Sequence, residues 1–217
     1  MIKIRLFMEM TMLLILGGCA GFGIVATSDP EKKLNDAYYL YSRGDRPLPA
    51  ETLISEAIEI FQKRGDARGL GDAYREYGNL LQSKSLSKWG SRMNFHDKSV
   101  TYENRFDKSS EYFRKTLDAY KKVEQSTIEA KQYDELTNLY CVTAWVYNGL
   151  HEPKNSCIYF DKSLEAYAEN IRLNPSASPF VPQGFTSFPE LVVYDRKSIG
   201  LDCKAGRFEQ LELNGQK

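Results

Sequence analysis

The chain has 217 residues, of which 42% are hydrophobic and 12% aromatic, so it can form a packed core and is not a disordered polypeptide. Lys and Arg together number 29, and Asp and Glu also number 29, which gives a formal net charge of +0. Because there is no basic excess to displace counterions from a phosphate backbone, charge gives no support to nucleic-acid binding.

The first predicted element is an export signal. Residues 3 and 5 are basic, residues 10–16 form a largely apolar run, and the small residues 17–18 precede Cys19. A basic n-region, an apolar h-region and a small-residue cleavage site are the three parts of a secretory signal peptide. We therefore assign residues 1–18 to a signal and residues 19–30 to a tether.

The sequence Leu-Gly-Gly-Cys at residues 16–19 resembles the lipobox of bacterial lipoproteins. The resemblance implies cleavage before Cys19, a diacylglycerol on its thiol and acylation of the new N-terminus. The following Ala20 implies the outer membrane, with the body facing the periplasm. Because the uncharged run continues to Ala26, an uncleaved spanning anchor is the alternative. Both readings export everything after residue 28.

The body from residue 31 to residue 175 has helical periodicity. Apolar residues recur at three- and four-residue spacing in six stretches, and no stretch of comparable length before residue 176 alternates like a strand. The six stretches pair as hairpins: 31–43 with 50–63, 70–83 with 106–123, and 133–150 with 154–173. Glycines and prolines mark the breaks, at residues 44, 47, 49, 65, 69, 149 and 153. The sequence therefore predicts an all-α fold.

Aromatic and small residues recur in the three hairpins. They are Tyr38, Tyr41, Ala50, Ile54, Ala57 and Ile58; then Tyr74, Tyr77, Gly78, Leu81, Ser109, Phe113, Thr116 and Leu117; then Tyr140, Thr143, Ala144, Tyr147, Ser156, Phe160, Ser163 and Leu164. This set resembles tetratricopeptide repeats, in which small residues let paired helices approach closely. The resemblance implies a short solenoid of about three repeats, with an insertion at about residues 83–105. An unrelated helical bundle is the alternative.

The same resemblance implies that the first helix of each hairpin lines a concave groove. The side chains that it assigns to the groove are mostly polar, with aromatic anchors: Asn35, Tyr39, Arg75, Asn79, Gln82, Asn138, Trp145 and Asn148. Such a surface suits an extended peptide, because Asn can bind backbone amides while Tyr and Trp supply contact area. For Trp145, burial between helices is the alternative.

The insertion and the tail contain more apolar residues than solvent-exposed loops usually do. Trp89, Met93, Phe95 and Tyr102 lie in the insertion. The tail, residues 176–217, is expected to be irregular because prolines interrupt its apolar residues. We expect it to pack on the last repeat as a cap, since a repeat stack must cover its final helix. A partner-binding arm is the alternative.

Three cysteines besides Cys19 would share an oxidising envelope compartment, where two of them can pair. Cys141 and Cys157 face each other across the third hairpin but are offset by about 7 Å along the helix axis. We therefore expect Cys203 to pair with Cys157 or Cys141, which would fasten the tail. Packing as free thiols is the alternative.

No motif for catalysis, nucleotide binding or metal binding occurs, and neither His96 nor His151 has metal ligands or a nucleophile beside it in sequence. The sequence predicts a noncatalytic, lipid-anchored scaffold of the cell envelope, which binds a protein partner in assembly, secretion or polymer export and needs no cofactor. The alternatives are a binding protein for a small molecule or glycan, with the insertion and tail as a lid, and an enzyme with an unrecognised site.

Overall fold

The computed structural model describes residues 27–175, 181 and 183–203, so Cys19 and the signal lie outside the described residues. The described chain is all-helical, as predicted. Its α-helices are α1 (Pro30–Ser42), α2 (Pro47–Arg64), α3 (Ala67–Gln82), α4 (Lys84–Trp89), α5 (Arg105–Glu129), α6 (Tyr133–Gly149), α7 (Pro153–Leu173) and α8 (Phe188–Ser198). A 3-10 turn, Gly90–Arg92, follows α4. Within these ranges, no helix combines the length and apolarity that a membrane crossing requires.

Two of the predicted helix breaks lie inside helices instead. Pro49 is in the first turn of α2, where a missing N–H removes no intrahelical hydrogen bond. Gly69 is in the first turn of α3, where its N–H donates to the capping carboxylate of Asp66 at 2.9 Å. It is a glycine because a Cβ there would lie 2.1 Å from the ring of Phe61. The residue that ends α2 is Gly65, in the left-handed region at φ 66°.

The long helices pack in the predicted order as three hairpins: α1 with α2, α3 with α5, and α6 with α7. Consecutive hairpins contact each other through α2 and α3 and through α5 and α6, and α1 also contacts α3. Each helix therefore packs mainly on its neighbours in sequence, which gives an elongated core made of several apolar clusters.

The second helix of each hairpin buries three residues at the same spacing of four and then three. These nine residues are all at most 1% exposed: Ala50, Ile54, Ala57, Ser109, Phe113, Thr116, Ser156, Phe160 and Ser163. Two equivalent serines also bond to the first helix of their own hairpin. Ser109 Oγ donates to the Gly78 carbonyl at 2.9 Å, and Ser156 Oγ donates to the Ala144 carbonyl at 2.8 Å. Small residues thus hold both hairpins at close approach.

The insertion between α3 and α5 is a structured cover on the first two hairpins. Met93, Phe95 and Val100 are buried in the same cluster as the core of α1, α2 and α3. Beneath them, the carboxylate of Glu51 is only 3% exposed. It accepts hydrogen bonds from the Tyr77 hydroxyl and from the backbone N–H of His96, both at 2.7 Å.

The expectation of an irregular tail is wrong for residues 188–198, which form α8. The local reason is a capping arrangement: the Ser187 hydroxyl accepts from the Glu190 N–H at 3.3 Å, and the Thr186 N–H donates to the Glu190 carboxylate at 2.7 Å. Pro189 lies in the first turn, where proline is tolerated. Phe188 and Val192 then pack into the core of the third hairpin, which α8 covers.

Two further interactions fasten α8. Of the two pairings that the sequence left open for Cys203, the structure contains the disulfide with Cys157, with Cα atoms 5.6 Å apart. The guanidinium of Arg196, almost fully buried, donates to Asp161 of α7 at 2.6 Å. Cys141 is a free thiol, and burial raises its pKa to about 12.

Candidate functional site

A cleft of about 420 Å³ lies between α1 and α3, the first helices of the first two hairpins, and reaches α6, the first helix of the third. The helices contribute unequally, because α3 supplies a full stripe and α6 supplies only Val142. Its polar and aromatic walls are Glu31, Asn35, Tyr38, Asp66, Arg68, Asp72, Arg75 and Glu76. We call this space the first-helix cleft.

The stripe on α3 follows from helical spacing. Arg68, Asp72 and Arg75 are four and three residues apart, so they project from one face. The C-terminal ends of α3 and α6 also meet, because Gln82 Nε2 donates to the Gly149 carbonyl at 3.1 Å. The two helices therefore lie close together at these ends.

Charges in the first-helix cleft are paired with one another. The guanidinium of Arg75 lies 3.6 Å from Asp72 and 3.5 Å from Glu76. Arg68 also donates to Asp72, at 3.2 Å. These two arginines and two carboxylates form a closed network, so the cleft wall has a defined shape without a bound ligand.

Two buried tyrosines donate hydrogen bonds to the carboxylates of this network. The Tyr41 hydroxyl donates to Glu76 at 2.7 Å, and the Tyr120 hydroxyl donates to Asp72. Burial raises the pKa of both phenols far above its usual value, and the adjacent carboxylates raise it further. Both tyrosines therefore remain neutral hydrogen-bond donors, which suits a binding wall and not a proton-transfer site.

Two of the predicted groove residues, Asn35 and Arg75, line this cleft. Tyr39 does not, although it is 59% exposed; its neighbour Tyr38, 53% exposed, lines the cleft in its place. The sequence held the signal for Tyr38, because it follows Glu31 by seven residues and Asn35 by three, which puts all three on one helical face. Tyr39 therefore stays a prediction for a partner surface, and Tyr38 is the α1 tyrosine that lines this cleft.

The other predicted groove residues lie outside the cleft lining. Asn138 is exposed, whereas Asn79 and Asn148 are partly exposed, and Gln82 bonds to α6 as described. Trp145 is 36% exposed, so it is not buried between helices. Its indole N–H donates to Asp195 of α8 at 3.2 Å. The tail thus contacts the aromatic residue that was expected to anchor a partner.

A second cleft, of about 480 Å³, was not anticipated from the sequence. It lies between α5, α6 and α7, and its lining includes Arg114, Asp118, Tyr120, Lys121, Glu124, Tyr140, Tyr147 and Tyr159. The ring of Tyr159 is covered on two sides, with the Tyr147 centroid at 5.1 Å and Lys162 Nζ at 4.5 Å. The cleft depends on how two hairpins pack, which no single helical pattern encodes. We call it the tyrosine cleft.

Neither histidine of the chain lines either cleft. His96 and His151 are both exposed. Within residues 27–175 and 183–203, no group of three or more His, Cys, Asp or Glu side chains could hold a metal ion. Neither protein-family models, nor curated proteins, nor solved structures match this chain. The functional argument therefore depends on the chain's own geometry.

Proposed function

We propose that this protein is a lipid-anchored scaffold of the bacterial cell envelope whose tetratricopeptide-like repeats hold a protein partner along the first-helix cleft. The observation that carries the proposal is that one cleft is lined by α1 and α3, the first helices of two successive hairpins, and reaches Val142 of α6, the first helix of the third. The nine equivalent buried positions in the second helices support a repeat, because each helix places a small residue at the first and third positions and a large apolar residue at the second.

The cleft chemistry favours an extended peptide as the partner segment. The exposed ring of Tyr38 offers contact area, and the amide of Asn35 offers both a donor and an acceptor to a peptide backbone. The paired charges of Arg75, Asp72 and Glu76 hold the wall rigid, so binding costs little reorganisation.

Export and anchoring are supported by the sequence before the body and by chemistry within it. The basic residues, apolar run and Cys19 form the pattern of a lipoprotein signal. A disulfide between Cys157 and Cys203 fits an oxidising compartment outside the cytoplasm. The proposed location is the outer membrane, with the body in the periplasm, in an assembly, secretion or polymer-export pathway.

Affinity isolation of the full lipidated protein from envelopes tests the scaffold. The informative variant is Tyr38→Ala, and Phe106→Ala is its matched control, because Phe106 has a similar exposure of 51% and lies outside the cleft. A partner should be captured by the unmodified protein and by the control, and its yield should fall about tenfold or more with Tyr38→Ala. Equal yields would reject the cleft, and recovery of only generic membrane proteins would reject the scaffold.

The anchor has its own test. Globomycin, or the substitution Cys19→Ser, should block processing and change the mass of the mature protein, since both prevent maturation at the lipidated cysteine. An unchanged mature mass under either treatment would reject lipidation and leave the partner-binding proposal standing.

The tyrosine cleft favours a second candidate function, the binding of a small molecule or glycan. It combines aromatic surface from Tyr147 and Tyr159 with both cations and carboxylates, as polar ligand sites do. Glycan-array binding that is lost with Tyr147→Ala and kept with Tyr38→Ala would establish it. No binding to any glycan, together with partner capture through Tyr38, would favour the scaffold alone.

A further inference from the structure

Positive charge is concentrated in one short segment of a chain that has no net charge. Residues 77–96 contain no Asp or Glu. The same stretch contains Lys84, Lys88 and Arg92, which are spaced four residues apart. Like charges at this spacing repel within a helix, so helix stability alone does not favour the arrangement.

The fold turns these three cations to the outside. Ser85 and Leu86 of α4 are buried, with Leu86 in the core cluster of the first two hairpins. The exposed side is Lys84, Ser87, Lys88, Ser91 and Arg92, which we call the basic face. Because the opposite side is fixed in the core, the basic face cannot rotate inward.

Local contacts hold the basic face against the turn between α1 and α2. The indole N–H of Trp89 donates to the Asp45 carbonyl at 3.1 Å, and the Lys88 ammonium pairs with the Asp45 carboxylate. Arg92 Nε donates to the Trp89 carbonyl at 3.0 Å. Lys84 and Arg92 form no ion pair with any residue of the described chain, so two of the three charges are uncompensated.

We propose that the basic face docks on an anionic phospholipid surface and orients the anchored protein on its own membrane. Each Lys or Arg close to such a surface strengthens binding roughly fivefold, and the attraction acts within a Debye length. Docking at physiological salt rests on the lipid anchor of the proposed function, which supplies a high local concentration, whereas at low salt the longer Debye length makes the contact measurable without the anchor.

Distances permit the anchor and the basic face to touch one membrane. The basic face lies beside the C-terminal end of α1, whose 13 residues span about 20 Å from Pro30. A chain running from residue 19 to residue 30 spans at most about 39 Å when extended. The tether is therefore long enough for α1 to lie along the membrane with both points in contact.

Vesicle sedimentation tests the docking. The unit used is the chain from residue 27 onward, because it contains every described helix, all of the apolar clusters and the disulfide. Vesicles of phosphatidylglycerol with phosphatidylethanolamine should bind it at low salt, and vesicles of phosphatidylcholine alone should not. Replacing Lys84, Lys88 and Arg92 by Gln together should weaken binding about 100-fold.

A charge-matched control removes Lys63, Lys122 and Lys197, which are exposed on other helices, and should change binding less than about threefold. Asp45→Asn should change binding in the opposite direction, strengthening it about fivefold by freeing Lys88. Asn is suited to this position because residue 45 has a φ of 49°.

Three results would overturn the proposal. They are no binding to the anionic vesicles at low salt, an equal loss in the charge-matched control, and binding to a soluble polyanion such as polyphosphate without binding to vesicles. None of these results bears on the mass test of Cys19 or on partner capture through Tyr38, so failure here is distinguishable from failure of the proposed function.

Discussion

The two ends of the helix stack are covered by segments that are fastened in different ways. At the first end, the insertion is held by apolar burial and by a hydrogen bond from the His96 N–H to the buried carboxylate of Glu51, which also accepts from Tyr77 of α3. At the last end, α8 is held by apolar burial, by the Cys157–Cys203 disulfide and by the ion pair of Arg196 with Asp161. One cover uses only noncovalent contacts, and the other adds a covalent bond.

This difference predicts how each end responds to its surroundings. The insertion is fastened by groups that redox conditions do not affect, so the first end should close in any compartment. The tail is fully fastened only where the disulfide forms, so the last end depends on export. Because Asp195 of α8 accepts a hydrogen bond from the Trp145 indole, the compartment should also affect how exposed that aromatic residue is.

The largest expected effect is at Glu51. Glu51→Ala leaves the Tyr77 hydroxyl and the His96 N–H without an acceptor and opens a cavity, so the free energy of unfolding should fall by about 4 kcal/mol. Urea denaturation measures it. Glu59→Ala, at an exposed site of the same helix, should cost less than about 0.5 kcal/mol. Equal losses would mean that the buried carboxylate does not fasten the insertion.

The disulfide should have the next largest effect. Cys157→Ser removes a bridge between residues 46 apart in sequence and should lower the free energy of opening α8 by about 3 kcal/mol. Hydrogen exchange should accelerate in α8 and remain unchanged in α1 to α3. Cys141→Ala, which removes the free thiol, should leave exchange in α8 as it was. Faster exchange in the insertion as well would show that the two covers are not independent.

The ion pair of α8 should contribute less than the disulfide. Arg196→Met keeps much of the packing but removes the contact with Asp161, whose side chain is 37% exposed and can be hydrated instead. We expect a loss of about 1–2 kcal/mol. A double-mutant cycle with Asp161→Ala should give a coupling energy above about 0.5 kcal/mol. Zero coupling would assign the fastening of α8 to the disulfide and the apolar contacts alone.

Some of the helices and contacts described above could be predicted from the sequence, and others could not. Helical periodicity predicted α6 at 133–150, and the structure has Tyr133–Gly149, because an amphipathic face repeats locally. Pro189 concealed α8, since proline forbids a helix interior but suits its first turn. The contact of Glu51 with Tyr77 and His96 joins residues far apart in sequence and leaves no local pattern.

In the candidate site, too, some residues could be predicted from the sequence and others could not. The tetratricopeptide resemblance implied a groove with Arg75, Asn79 and Gln82, whereas the cleft contains Arg75 together with Arg68 and Asp72, which precede it on the same helical face. Tyr38 lines the cleft and the expected Tyr39 does not, because a shift of one residue turns a side chain about 100° around the helix. The tyrosine cleft forms where two hairpins pack against each other, through residues that are far apart in sequence. No local sequence pattern therefore predicts it.

The smallest expected effect is at Asp195. The substitution Asp195→Asn changes the charge of this side chain but keeps an acceptor for Trp145. Burial raises the pKa of this carboxyl, and the hydrogen bond from the Trp145 indole only partly offsets that shift. A raised pKa means that the folded state binds the proton more tightly than the unfolded state, so ionisation above the folded pKa costs stability. Asp195→Asn keeps an acceptor for Trp145 and should therefore unfold at the same or slightly higher urea concentration at pH 7. Its advantage should shrink as the pH falls towards about 4, where the unfolded carboxyl is also protonated.

Asp202→Asn, exposed on the same tail, should show no such dependence. A destabilised Asp195→Asn would mean that the negative charge itself attracts α8 to the stack, and that the tail is fastened by more electrostatics than the single ion pair of Arg196.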